Sequence, residues 1–238
     1  MDRIISPSTS VVNGLQPHPS HEHSASSKQG STSDDKSLQS KLYNETLASK
    51  NKQVSFSAFA FLFYEMVGQQ RESSQTVAEI EAKLAALGYK IGLRLIELLN
   101  FRDSIPSRVT QSENADSVAS SITSMKKRPL KILEILQYVH SNLWKYLFGK
   151  PSDDLVKSSE RDNEYMIVDN EPLWTQFISG TSVQCETFTG GIIEGLLDHA
   201  GFPCHVTVHT DPEGRFDRRT VYLIRFDKQV LEREALRF

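Results

Sequence analysis

The chain reads CETFTGGIIEGLLDHAGFPCHVTVH from Cys185 to His209, and this stretch holds both of its cysteines, three histidines and Glu194. A thiolate nucleophile needs a histidine base within contact. The spacing makes Cys185 the start of a helix and His199 its end. Fourteen residues of continuous helix span about 21 Å, so these two do not meet. A pairing of Cys185 with His205 or His209 across the fold stays open at this stage. A helix N-terminus lowers a thiol pKa, whereas a free cysteine is more often buried and inert. The inert reading is preferred here.

A zinc site from Cys185, His199, Cys204 and His205 also fails on geometry. Neighbours in a strand point to opposite faces. Cys204, Val206 and Val208 share one face, and His205, Thr207 and His209 the other. No C-x-x-C pair is present, and the four-residue spacing of His205 and His209 falls in a strand, not on one face of a helix. Glu194 stands between Ile193 and Gly195 with no second carboxylate at acid/base spacing. It is expected to be half exposed or to cap a backbone group. TGGIIEG lacks the lysine and spacing of a phosphate-binding loop. MKKRP, from Met125 to Pro129, reads as a solvated linker end, with an anionic membrane or acidic partner as the sharper alternative. The expectation is no catalytic residue, no metal and no cofactor.

The elements that would position these residues follow from periodicity. Helix one is expected from Ser55 to Gln70, with Phe56, Phe59, Phe63 and Val67 on one face. Phe61, Leu62, Tyr64 and Met66 add apolar surface elsewhere, so this helix should be covered on more than one side. Helix two is expected from Thr76 to Leu99, with Thr76 and Glu79 as a capping box. Its stripe includes Ile80, Leu84, Leu87 and Ile91. Gly88 and Gly92 sit four apart and point to close approach of another backbone or of a ligand. Helix three places Pro129 in its first turn and turns Leu143, Tyr146 and Leu147 inward.

The period then changes. EYMIVDNEPLWTQFIS reads as two short strands around Asp169–Pro172. Helix four runs from Cys185 to His199, where Phe188, Gly191, Ile192, Gly195 and Leu196 are expected to let it lie close to the sheet. CHVTVH and TVYLIRF are strands, the second apolar on both faces, and KQVLEREALRF is a short final helix. The order indicates an α+β fold, antiparallel helices packed on one face of a small four-stranded antiparallel sheet.

Composition bounds the rest. The 238 residues carry 38% hydrophobic side chains and a formal net charge of -3, with mean hydropathy -0.39 and a pI near 6.2. Such a balance gives no basic footprint for nucleic acid. The polar excess concentrates in a Ser-rich tail over 1–51 and in a segment at about 103–128, both expected to be disordered around one domain over 52–238. Two cysteines make no disulfide framework, which fits a reducing compartment. The start, MDRIISPSTS, has no signal-peptide pattern, and the most apolar run, FSAFAFLFYEMV, is about half the length a bilayer needs. Surplus apolar surface on helices one and two marks a partner interface.

Several motifs carry a family resemblance. LGYKIGLRLIELL (Leu87 to Leu99), LWKYLFGK, IVDNEPLWTQFIS and CETFTGGIIEGLLDHAGFPCHVTVH occur in order. They resemble the small α/β subunits of TRAPP, the transport protein particle, and together with VSFSAFAFLFYEMV they are most similar to its subunit 5 branch. The resemblance covers residues 52 to 236. It implies a heterodimer with a related small subunit through helices one and two, with Phe56, Phe59, Phe63, Val67, Ile80, Leu84, Leu87 and Ile91 as the interface. Gly88, Gly92, Gly191 and Gly195 are the expected points of close helix packing.

The resemblance further implies a scaffold subunit of a vesicle-tethering complex in ER-to-Golgi transport. That complex promotes nucleotide exchange on a Rab GTPase, which this subunit would meet only through the assembly. Location would be cytoplasmic, peripheral at cis-Golgi and ER-Golgi membranes. Some family members carry an acylated cysteine just after the G-Y-x-I-G helix. Here that region, NFRDSIPSRVT, has none. The alternative reading is an acyl-chain or small hydrophobic ligand module with a pocket near Gly88 and Gly92.

Overall fold

The structure, a computed structural model, describes residues 55–104, 129–178 and 180–236. The tail over 1–51 and nearly all of the segment over 103–128 lie outside the described residues. Helix α1 is Phe56–Glu72 and helix α2 is Val77–Ser104. The start of α2 is capped reciprocally. The Glu79 N–H donates to the Thr76 hydroxyl at 3.2 Å, and the Glu79 carboxylate accepts the Gln75 N–H at 3.0 Å.

Helix α2 continues past Leu99, so Asp103 is helical and not part of an insertion. A tertiary contact holds this last turn. Arg102 donates to the Tyr146 hydroxyl and lies 5.4 Å from its ring centroid.

Helix α3 runs through Ile132–Gln137, a π-helical stretch Tyr138–Leu143, and Trp144–Phe148. Pro129 stands before this helix, not in its first turn. Glu134 caps the start by accepting the N–H of Leu130 at 3.0 Å. The π stretch adds a residue to the turn and advances the register. Trp144 is therefore fully buried, and Tyr146, expected inward, is exposed. Gly149 ends the helix at φ 79°, where a side chain would be strained.

The sheet comprises β1 (Asp154–Lys157), β2 (Glu164–Asp169), β3 (Cys204–Thr210) and β4 (Thr220–Phe226). Their order is β1-β2-β4-β3, with every pair antiparallel. The segment after Pro172, expected as a strand, is instead a 3-10 turn, Trp174–Phe177. The strand that pairs with β2 lies upstream. Only Leu155 of β1 contributes to the core, so its alternation is too short to stand out in the sequence.

Tyr165 and Ile167 of β2, Val206 of β3, and Tyr222, Ile224 and Phe226 of β4 form the inner sheet face. Helix α4 (Thr187–His199) lies on that face, and α2 packs across α4. Trp144 of α3 meets Tyr222 edge-on at 5.4 Å. Helix α5 (Lys228–Ala235) buries Val230. The result is the α+β arrangement expected from the pattern, with α4 as its central, almost entirely buried helix.

Candidate partner interface

The residues that suggested chemistry are held apart or inactivated. Cys185 precedes α4 and is 1% exposed, its thiol 3.6 Å from the Val183 carbonyl. Burial pushes that thiol up to about 11, and the charges acting on it, Glu186 and Glu81, have the wrong sign to activate it. The dipole effect expected for a helix-starting cysteine is thus outweighed by desolvation.

His199 pairs with Glu97 of α2 at 3.1 Å. Cys204 is half-buried, and burial together with Glu194 and Asp198 raises its thiol pKa strongly. His205 and His209 are exposed on the outer sheet face. Among the described residues, no group of three or more His, Cys, Asp or Glu side chains is arranged to hold a metal. Glu194 accepts the Val206 N–H at 2.9 Å. It thereby blocks part of the free edge of β3 with a carboxylate.

The helix-packing glycines show a reciprocal geometry. A Cβ on Gly191 would stand 2.1 Å from the Ala85 carbonyl oxygen, and one on Gly195 would stand 2.2 Å from that of Tyr89. Facing them, a Cβ on Gly88 would meet the Phe188 oxygen at 2.0 Å and one on Gly92 the Ile192 oxygen at 2.3 Å. Gly191 and Gly195 therefore abut α2, not the sheet. Gly190 is the residue turned to the sheet, toward Val208. The space beside Gly88 and Gly92 is filled by the backbone of α4, which removes the ligand pocket considered there.

The eight residues assigned to a partner face divide sharply. Phe63, Val67, Ile80 and Leu84 are buried in the chain's own core, Phe63 at 2% exposure. They are not available to a partner. Phe59 and Leu87 are partly buried against the same core, and only Phe56 and Ile91 are exposed. The reason is an aromatic cluster that covers the inner side of α1. Trp174 lies 4.4 Å from Phe59 and 5.5 Å from Phe63, ring to ring, and Phe63 lies 5.5 Å from Phe188. Such pairs add about 0.5–1.5 kcal/mol each beyond burial.

The opposite side of α1 is the open one. Phe61 and Leu62 are 72% and 67% exposed, and Tyr64 and Phe177 are also exposed. Phe56 packs edge-on against Phe177 at 4.8 Å and joins the turn to this face. Ser57, Ala60, Phe61, Tyr64, Glu65 and Phe177 line an apolar cleft of about 440 Å³. Phe61, Leu62 and Tyr64 were legible as surplus apolar residues off the main stripe. Phe177 was not, because its turn reads as a strand.

Comparison with known proteins places this fold. The model of the transport protein particle (TRAPP) component family matches residues 59–227. The chain belongs to the TRAPP component family. It is 44% identical to trafficking protein particle complex subunit 31 of Saccharomyces cerevisiae over 99% of both chains. It is 42% identical to trafficking protein particle complex subunit 5 of Dictyostelium discoideum over 79% of this chain and 93% of the relative. A solved structure, trafficking protein particle complex subunit 3 from Naegleria fowleri covalently bound to palmitic acid, shares the fold. It has a TM-score of 0.54 at 16% identity, over 73% of this chain and 95% of that one.

Proposed function

We propose that this chain is a scaffold subunit of the TRAPP vesicle-tethering complex, supporting assembly of its Rab guanine nucleotide exchange activity in ER-to-Golgi transport. It performs no chemistry of its own and meets the Rab GTPase through the assembled complex. Its direct partners are related TRAPP small subunits. The observation that carries the reading is the exposed aromatic face of α1, Phe61, Leu62, Tyr64 and Phe177, on a chain of this family. An apolar patch of this size in a protein otherwise well packed marks an interface.

Membrane contact is peripheral, at cis-Golgi and ER-Golgi membranes, and is made through the complex. No helix among the described residues is long and apolar enough to cross a membrane. The region where the family resemblance would place an acylated cysteine, Leu99–Ser104 at the end of α2, contains none. The buried Cys185 and the half-buried Cys204, both with raised thiol pKa values, support a role without nucleophilic chemistry.

The test is co-expression of the full chain with related small subunits. Phe61→Asp combined with Tyr64→Asp should abolish co-purification while leaving the circular dichroism spectrum unchanged. A stable heteromer that survives both substitutions would sink the assignment of this face.

A further inference from the structure

Glu186 is a buried acid that the scaffold reading does not use. It precedes α4 and is 1% exposed. One carboxylate oxygen, Oε2, accepts both the Tyr222 hydroxyl at 2.9 Å and the Thr189 hydroxyl at 3.0 Å. The other oxygen, Oε1, is buried with no hydrogen-bond partner among the described residues. A charged carboxylate leaves such an oxygen unpaired at far higher cost than a neutral carboxylic acid does.

The groups around it do not supply a counter-charge. Tyr222 from β4 and Asp169 at the end of β2 face it: the Tyr222 hydroxyl hydrogen-bonds the charged form but carries no counter-charge, and Asp169 disfavours it. Asp169 is itself 1% exposed and has Lys150 at 3.8 Å on its rim. Lys150 also lies 3.8 Å from Asp153. On the α2 side Glu81 accepts the Gln184 N–H at 2.8 Å and acts with Glu186 on the Cys185 thiol. Arg218 is spent on the Thr175 carbonyl. Burial, opposed in part by the Tyr222 and Thr189 hydrogen bonds, pushes Glu186 up to about 7.

The remaining neighbour is the 3-10 turn. The Thr175 hydroxyl favours the charged form of Glu186, and the adjacent Trp174 indole N–H is buried without a partner among the described residues. Two residues on, Phe177 forms the edge of the open α1 face. An ionised Glu186 demands donors at Oε1, and the turn holds two: the uncommitted Trp174 indole N–H, and the Thr175 hydroxyl, which donates to the Pro172 carbonyl at 3.4 Å and would have to leave it.

We propose that Glu186 is a proton lock: neutral, it lets the α4 start, β4 and the Trp174–Phe177 turn pack together; ionised, it draws on the turn and disorders the partner face. The proposal rests on the assignment of that face to a partner subunit. Pairing then takes up a proton and weakens as pH rises above about 7, by at most about tenfold per pH unit.

The test measures the Kd for the related small subunit with which the full chain co-purifies, at pH 6, 7, 8 and 9. Glu186→Gln is neutral at every pH. Wild type should weaken above pH 7, and the variant should stay flat. Identical pH profiles for the two would overturn the lock.

Should Glu186→Gln fail to fold, the carboxyl of Glu186 is followed directly in wild type by 13C NMR. A midpoint near 7 in the free chain, moving higher on pairing, is the expected result. A midpoint in the ordinary carboxylate range in both states would overturn the proposal. Phe61→Asp separates the two ideas. Intact pairing in that variant refutes the interface assignment and with it the link to pairing, whereas the midpoint in the free chain reports on the buried proton alone.

Discussion

Replacing Gly191 by alanine tests the contact on which the whole helical layer depends. The new Cβ would stand 2.1 Å from the Ala85 carbonyl oxygen, 2.8 Å from its carbon and 3.0 Å from its Cα. A carbon next to a carbonyl oxygen settles no closer than about 3.3 Å, so α2 and α4 must part by roughly 1.2 Å. The obstacle is backbone on a helix and has no rotamer through which to yield. Overpacking costs about 1–3 kcal/mol even where side chains can move. This site belongs at or above the upper end. Alanine returns about 1 kcal/mol of helix propensity.

The net loss is therefore about 2 kcal/mol or more, or roughly 4–8 °C in melting temperature for a domain of this size. Gly68 supplies the control, since a Cβ there meets nothing within 4 Å. Gly68→Ala should raise the melting temperature by a few degrees through propensity alone. Thermal unfolding followed by circular dichroism reads both variants. A Gly191→Ala protein as stable as wild type would refute the close-packing argument, whatever Gly68→Ala does.

Other outcomes follow from the same geometry. Phe63→Ala should destabilise the chain by about 3–5 kcal/mol, seen as a lower urea midpoint, because Phe63 belongs to the core and not to the interface. Neither cysteine should react with a thiol reagent at pH 7.5 until the chain is unfolded, since burial raises both thiols; rapid labelling of Cys185 in the native protein would contradict the structure. Glu194→Ala should cost about 1 kcal/mol and speed hydrogen exchange at the Val206 amide, which loses its acceptor at the β3 edge.

Stability should also fall as pH rises from about 4.5 toward 7 and then level off. The raised Glu186 pKa makes the folded chain bind more protons than the unfolded one across that window. Glu186→Gln should remove this component of the slope in a pH series of melting curves.

The sequence by itself determined the family, the fold class and most element positions. Local signals suffice for these. Apolar spacing marks the helices, Gly149 and Gly201 mark their ends, and alternation marks β3 and β4. It also excluded a Cys185–His199 dyad, since helix length alone separates the two ends. Tertiary structure decided which face of α1 is free. Periodicity puts Phe59 and Phe63 on one stripe and Phe61 and Tyr64 off it but does not say which side is covered, and only the arrival of Trp174 from a distant turn covers Phe59 and Phe63 while leaving Phe61 and Tyr64 open.

The same limit hid β1, whose pairing partner and not its pattern makes it a strand. It also hid the direction of the glycines, because Gly191 is adapted to a carbonyl 106 positions earlier, at Ala85. Glu186 was invisible for a related reason. A glutamate becomes a buried acid only when β4, β2 and the 174–177 turn close over it, and desolvation is a property of that enclosure, not of the residue.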